Sequence, residues 1–170
     1  MPEHPSFATV SEYFHLGLTV GLLSLEHASA WATSVLADQN DPPHEIIEVS
    51  WSKGLASTLD ALTAIPGERD KKLAGRFLLG LIRESMPDSD DELELDVQRA
   101  MRIARDAELG EEIYLRFDMI EDELSLARKN IYGTVKQCRQ NLLCELAEYP
   151  VLRLNCLPGL SLPGTFPPDR

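Results

Sequence analysis

Glu12 and His15 stand three residues apart in a segment that reads as helix, the spacing by which helical bundles hold a di-iron or di-manganese centre between inward-facing side chains. Such a centre needs a second Glu-x-x-His and two more glutamates, and the 170-residue chain has no second pair. The four histidines, His4, His15, His27 and His44, all lie within the first 44 residues. Only His15 falls in a strongly apolar stretch, where a hydrogen-bonded histidine in or at the edge of a core is expected. Asp118, Glu121, Asp122 and Glu123 form the second constellation. A helix puts 118, 121 and 122 on one face, which suggests paired carboxylates for acid–base work or for Mg²⁺. That face lies opposite the apolar stripe described below and is expected to meet water, where carboxylates make poor general acids or bases near neutral pH. No GxSxG, HExxH, phosphate loop, GxGxxG or calcium loop occurs, and each is a spacing that its mechanism requires. The residues therefore predict no catalytic residue, cofactor or metal.

Charge speaks for recognition instead. Sixteen Lys and Arg oppose 28 Asp and Glu, a formal net charge of −12, which argues against nucleic acid or an anionic membrane surface as a direct partner and for a basic protein. The block 88–127 alone holds 14 acidic and 4 basic side chains. Such a block is commonly just a solvated surface. Where it does bind, the expected contact residues are Asp88, Asp90, Asp91, Glu92, Glu94, Asp118, Glu121, Asp122 and Glu123. Trp31 and Trp51, the only two tryptophans, are expected in the core rather than at an interface.

The elements that carry these residues are helical by periodicity and punctuation. Thr9-Val-Ser-Glu12 reads as a capping box that starts a helix, and the apolar run from Tyr13 to about Leu36 reads as one helix or a pair buried on several sides. Within it, Gly17-xxx-Gly21 offers a close approach for another helix. Residues 44–52 suit helix or strand, and helix is the reading adopted, because the double proline before them suits a first turn. Leu55, Leu59 and Leu62 mark a short helix stopped by Ile65-Pro-Gly67. Leu73, Phe77, Leu78, Leu81 and Ile82 stripe a helix over 69–85. Ser89-Asp-Asp-Glu92 is a second capping box, followed by Leu93, Val97, Ala100 and Ala104. Ile113, Phe117, Ile120, Leu124, Ala127 and Ile131 then repeat at spacings of four and three until Gly133. Thr134-Val-Lys-Gln137 opens a last helix with Val135, Cys138, Leu142 and Leu146 inward.

These readings predict an all-α fold, an irregular bundle of about six or seven helices in a single domain over 1–149. A Pro-rich tail, 150–170, either packs on it or is disordered. Three cysteines without CxxC spacing, Cys138, Cys144 and Cys156, predict reduced thiols. The start Met1-Pro-Glu-His-Pro has no secretory character, and the apolar run Leu16 to Leu25 is about half a membrane span. The expectation is a cytoplasmic protein that does not enter a membrane.

The stretches LGLTVGLL, AWATSVLA and PPHEIIEVS, followed by a leucine helix that ends in glycine, resemble small uncharacterised bacterial proteins of the immunity type, encoded beside polymorphic toxins. The resemblance covers about residues 13–67 and carries no catalytic residues. It implies a cytoplasmic antidote that binds a cognate secreted toxin, which fits the acidic block. Two other readings stand beside it: an adaptor or secretion chaperone that acts as a homodimer through an apolar groove, and an enzyme with an unfamiliar site.

Overall fold

A computed structural model describes residues 5–154, in which there are eight helices and no strand. They are α1 (Phe7–Thr19), α2 (Leu25–Asp38), α3 (His44–Trp51), α4 (Leu55–Ala64), α5 (Lys71–Ser85), α6 (Leu93–Asp106), α7 (Glu111–Arg128) and α8 (Val135–Leu146). The all-α expectation holds, with one helix more than its upper figure, because the apolar run 13–36 divides in two. Residues 44–51 are helical, as adopted above. Pro150–Leu154 carry no regular structure; the rest of the Pro-rich tail, with Cys156, lies outside the described residues, as does His4.

The chain divides into two compact units, whose boundary falls in the first turn of α5 between Ala74 and Gly75. In the first, α1 packs on α4, α2 on α3 and α3 on α4. Its core centres on Phe14, which stacks on Trp31 with ring centroids 5.1 Å apart and takes the edge of Tyr13 at 5.3 Å. Trp31 is buried as expected, but Trp51 is 77% exposed at the end of α3.

The start of α1 corrects the capping assignment. Ser6, not Thr9, caps the helix, accepting from the Thr9 backbone N–H at 3.1 Å. Thr9 is buried, and its hydroxyl accepts from the Asp70 backbone N–H at 3.1 Å. Glu12 turns to Arg69, 3.4 Å away. The predicted box failed because its two side chains serve long-range partners, and a hydroxyl cannot be assigned to a local rather than a distant donor by spacing alone. The pair Gly17 and Gly21 also separates in role: Gly17 is buried in α1, whereas Gly21 sits in the turn after it at φ 70°, a conformation that suits glycine. Ser24 then caps α2, with the His27 ring accepting from the Ser24 N–H at 3.0 Å.

Arg69 closes this unit. Its guanidinium donates to the carbonyls of Leu62, Thr63 and Ile65 at 2.8, 2.6 and 2.9 Å and to the Ser11 hydroxyl at 2.9 Å. The last turn of α4 has carbonyls with no partner inside the helix, and one planar fork answers three of them while tying α4 to α1. Asp70, next in sequence, caps α5 by accepting from the Leu73 N–H at 2.8 Å.

In the second unit α7 lies between α6 and α8, touching both. The turn from α6 to α7 is closed by Glu108 at φ 54° and Gly110 at φ 114°, with the Leu109 N–H returning to the Ala104 carbonyl at 3.0 Å. The second capping box fails too: Ser89 accepts from the Asp91 N–H at 3.2 Å in a local turn, and α6 begins only at Leu93 with Glu92 as an N-cap whose side chain makes no capping hydrogen bond. The third is half formed, since Thr134 caps the Gln137 N–H at 3.1 Å while the Gln137 side chain donates to Asn141 instead. Arg139 of α8 pins the turn before α6, donating to the Pro87 carbonyl and to that of Ser89 at 3.0 Å. Arg83 of α5 reaches the end of α8 at the Ala147 carbonyl, 2.8 Å away.

Two predictions follow from these contacts. Arg69→Lys keeps the charge but offers no fork, so it should lower the unfolding free energy by about 2–4 kcal/mol; denaturant titration checks this, and a change below about 0.5 kcal/mol would remove Arg69 from its assigned role. Gly80→Ala should also destabilise. Alanine in a helix normally gains about 1 kcal/mol over glycine, but a Cβ on Gly80 would collide with the Pro150 carbonyl and lie 2.7 Å from its carbon. Backbone cannot swing aside as a side chain can, so a net loss of about 1–3 kcal/mol is expected, and a raised melting temperature would refute it.

Candidate functional site

Helix α7 is apolar on two opposite faces. Phe117, Ile120, Leu124 and Ala127 are buried, as the heptad stripe predicts, with Ile113 half-buried at its start. The stripe stops earlier than predicted: Asn130 takes φ 54° and the Ile131 N–H bonds back to the Leu126 carbonyl at 3.0 Å, so Ile131 leaves the helix and is 66% exposed. Asparagine tolerates this left-handed conformation, and it ends α7 before Gly133 is reached. On the other side Leu115, Met119 and Leu126 are 46%, 63% and 37% exposed. At about 100° per residue these three fall within about 40° of one another and nearly opposite the buried set. They make an apolar ridge pointing into solvent, and the sequence reading did not single it out.

The carboxylates expected to bind a partner are arranged around this helix, not on one plane. Glu121 leans towards α6, accepting from Gln98 at 3.5 Å, while Glu123 leans towards α8, accepting from Asn141 at 3.0 Å. Asp122 is exposed and Asp118 half-buried, and helical geometry places both beside the ridge. The face of 118, 121 and 122 therefore meets water only in part, since Glu121 shares it with α6. Glu94, from α6, pairs with Arg128 of α7 at 2.6 Å. Together Glu94, Glu121, Asp122, Ser125, Arg128 and Lys129 line a cleft of about 350 Å³. Asp88, Asp90, Asp91 and Glu92 stay on the turn before α6 and its cap, all exposed; of these Asp90 lies 3.5 Å from Arg139.

Groups that could do chemistry do not gather. Among the described residues no three His, Cys, Asp or Glu side chains converge as they would around a metal ion, and no helix is long and apolar enough to cross a membrane. His15 is half-buried on α1 and His27 serves the α2 cap. Cys138 is buried and Cys144 exposed, both as free thiols, and burial, aided by Glu123, pushes the Cys138 thiol up from its ordinary value. A second, wider depression of about 1020 Å³ runs along α2 past Ser29, Ala30, Thr33 and Ala37 to Ser52 and Lys53.

Asp96 of the second unit carries a buried carboxylate that is only half answered. It is 4% exposed, one carboxylate oxygen meets Arg99 at 3.3 Å, and the other is buried without a hydrogen-bond partner. Burial raises its pKa above the ordinary aspartate value, with Arg99 pulling the other way. Sequence reading passed over it because its i, i+3 arginine and its place in an acidic block look like surface chemistry.

No family model matches the chain, and neither a curated protein nor a solved structure shows significant similarity to it.

Because the folded pKa of Asp96 lies above the unfolded one, the folded state holds the extra proton between the two values. Its contribution to stability therefore declines as pH rises from about 3.8 through the raised folded value, and stays lost at neutral pH. Unfolding free energies of wild type and Asp96→Asn, measured by denaturant from pH 3 to 7, should diverge over that window, with wild type losing ground to the variant as pH rises. Parallel profiles would show that the carboxyl is not strained.

Proposed function

We propose that the chain is a non-enzymatic protein-binding module, an immunity protein that neutralises a cognate bacterial toxin in the cytoplasm by direct contact through its acidic surface. The observation that carries the reading is the state of Asp88, Asp91, Glu92, Asp118 and Asp122. They are solvent-facing in whole or part, and no ion pair among the described residues answers any of them, while Glu94 and Asp90 have arginines of their own. A surface that leaves this much negative charge uncompensated repels acidic proteins and draws basic ones, and a toxin that acts on nucleic acid presents such a basic surface. The resemblance of residues 13–67 to immunity-type proteins supports the same reading. An adaptor that pairs with its own copy draws support from the exposed ridge of α7, which is the one observation favouring that alternative.

The test is growth. Each reading frame adjacent to the gene should be expressed alone and together with this chain; one should be toxic alone and harmless in company. If no neighbour is toxic, or if toxicity persists, the immunity reading falls. With the toxin in hand, replacing Asp118, Glu121 and Asp122 by their amides should slow association by about tenfold at low salt and flatten its salt dependence, and an unchanged rate constant would move the contact away from α7.

A further inference from the structure

We infer that the partner docks a basic amphipathic helix lengthwise on the outer face of α7, its apolar side on Leu115, Met119 and Leu126 and its Lys or Arg side chains against Asp118 and Asp122. The inference rests on the binding reading above and specifies the partner's contact element. Leu115 to Met119 to Leu126 is a step of four then seven, which is the seam of a two-helix contact with one position, Asp122, left polar. From 115 to 126 the seam runs about 17 Å, three turns, enough for three anchors from a facing helix. Single exposed apolar residues are ordinary on any surface, but these three, 46%, 63% and 37% exposed, lie in line on one face of one helix.

Charge selects the occupant. A second copy laid antiparallel on the same seam would set Leu115 against Leu126, but that register also buries Asp122 against Met119 and brings together two chains that each carry a net charge of −12. A carboxylate sealed under an apolar side chain and the repulsion between two acidic chains both oppose that pairing. A helix with lysines or arginines flanking its apolar stripe meets the same two aspartates as salt-bridge partners. Arg128 of α7 is already occupied by Glu94.

Three labelled 18-residue helical peptides test this on the full chain. They share leucines at heptad spacing and differ only in their flanks, which are Lys, Gln or Glu. Fluorescence anisotropy should show the Lys peptide bound, with about tenfold weaker affinity for the Gln peptide and no binding of the Glu peptide. Asp118→Asn with Asp122→Asn should remove the preference for Lys, and Met119→Gln with Leu126→Gln should abolish binding while leaving the melting temperature unchanged, since both side chains are solvent-facing. Equal affinity for all three peptides, or no binding of any, overturns the inference. So does sedimentation of the chain as a dimer that the Met119→Gln, Leu126→Gln variant disperses, since a second copy would then own the face. The growth assay separates the two readings: a Met119→Gln, Leu126→Gln chain that still rescues growth sinks the docked helix and spares the immunity role, whereas failure of the unaltered chain to rescue sinks the role, with the peptide result judged by itself.

Discussion

Helix ends govern this protein more than helix interiors do. Among the described residues eight helices, the longest of 18 residues and the shortest of 8, leave many terminal carbonyls and N–H groups without intrahelical partners. In each unit an arginine meets that demand at a point where several elements come together. Arg69 gathers the last carbonyls of α4 and the Ser11 hydroxyl of α1, and Arg139 holds the carbonyls of the turn that leads into α6. A guanidinium suits both places because its planar donors point in fixed directions. Where such a fork fails to close, short helices revert to their poor intrinsic stability, since isolated helices of this length are marginal in water.

Apolar periodicity is why the helices themselves were legible. Leu73 to Ile82 and Phe117 to Ala127 are set by the spacing of large side chains; Leu78, Leu81, Ile82, Phe117, Ile120, Leu124 and Ala127 are buried where the pattern puts them, and Leu73 and Phe77 are half-buried. The capping boxes were less legible. Of three, one is half formed and two dissolve, because Thr9, Glu12 and Ser89 each find another partner. A hydroxyl or carboxylate has a short reach and several donors within it, so local spacing names a candidate and tertiary structure chooses. The acidic block was legible as composition but not as geometry. That Glu121 and Glu123 serve different neighbouring helices depends on where α6 and α8 pack, which no count of charges contains.

The ridge on α7 escaped for a different reason. A search for one apolar stripe succeeds at 113, 117, 120, 124 and 127, and the remaining apolar residues then look like scatter. Leu115, Met119 and Leu126 are regular only when the helix is treated as having two seams. A helix apolar on both sides is ordinarily buried on both sides; α7 is not, since α6 and α8 flank it and leave its outer face in solvent.

That outer face combines features that favour different kinds of association. Exposed leucine and methionine promote contact with any apolar surface, including another copy of the chain, and uncompensated aspartates oppose contact with anything acidic. With a net charge of −12, a second copy of the chain meets that same opposition. If a basic helix docks there as proposed, the aspartates beside the ridge do two things at once: they oppose pairing of an adhesive seam with its own kind, and they favour a ligand that brings positive charge to the same register. Removing the charge alone would leave the seam adhesive but undiscriminating, and removing the apolar residues alone would leave attraction without anything to hold.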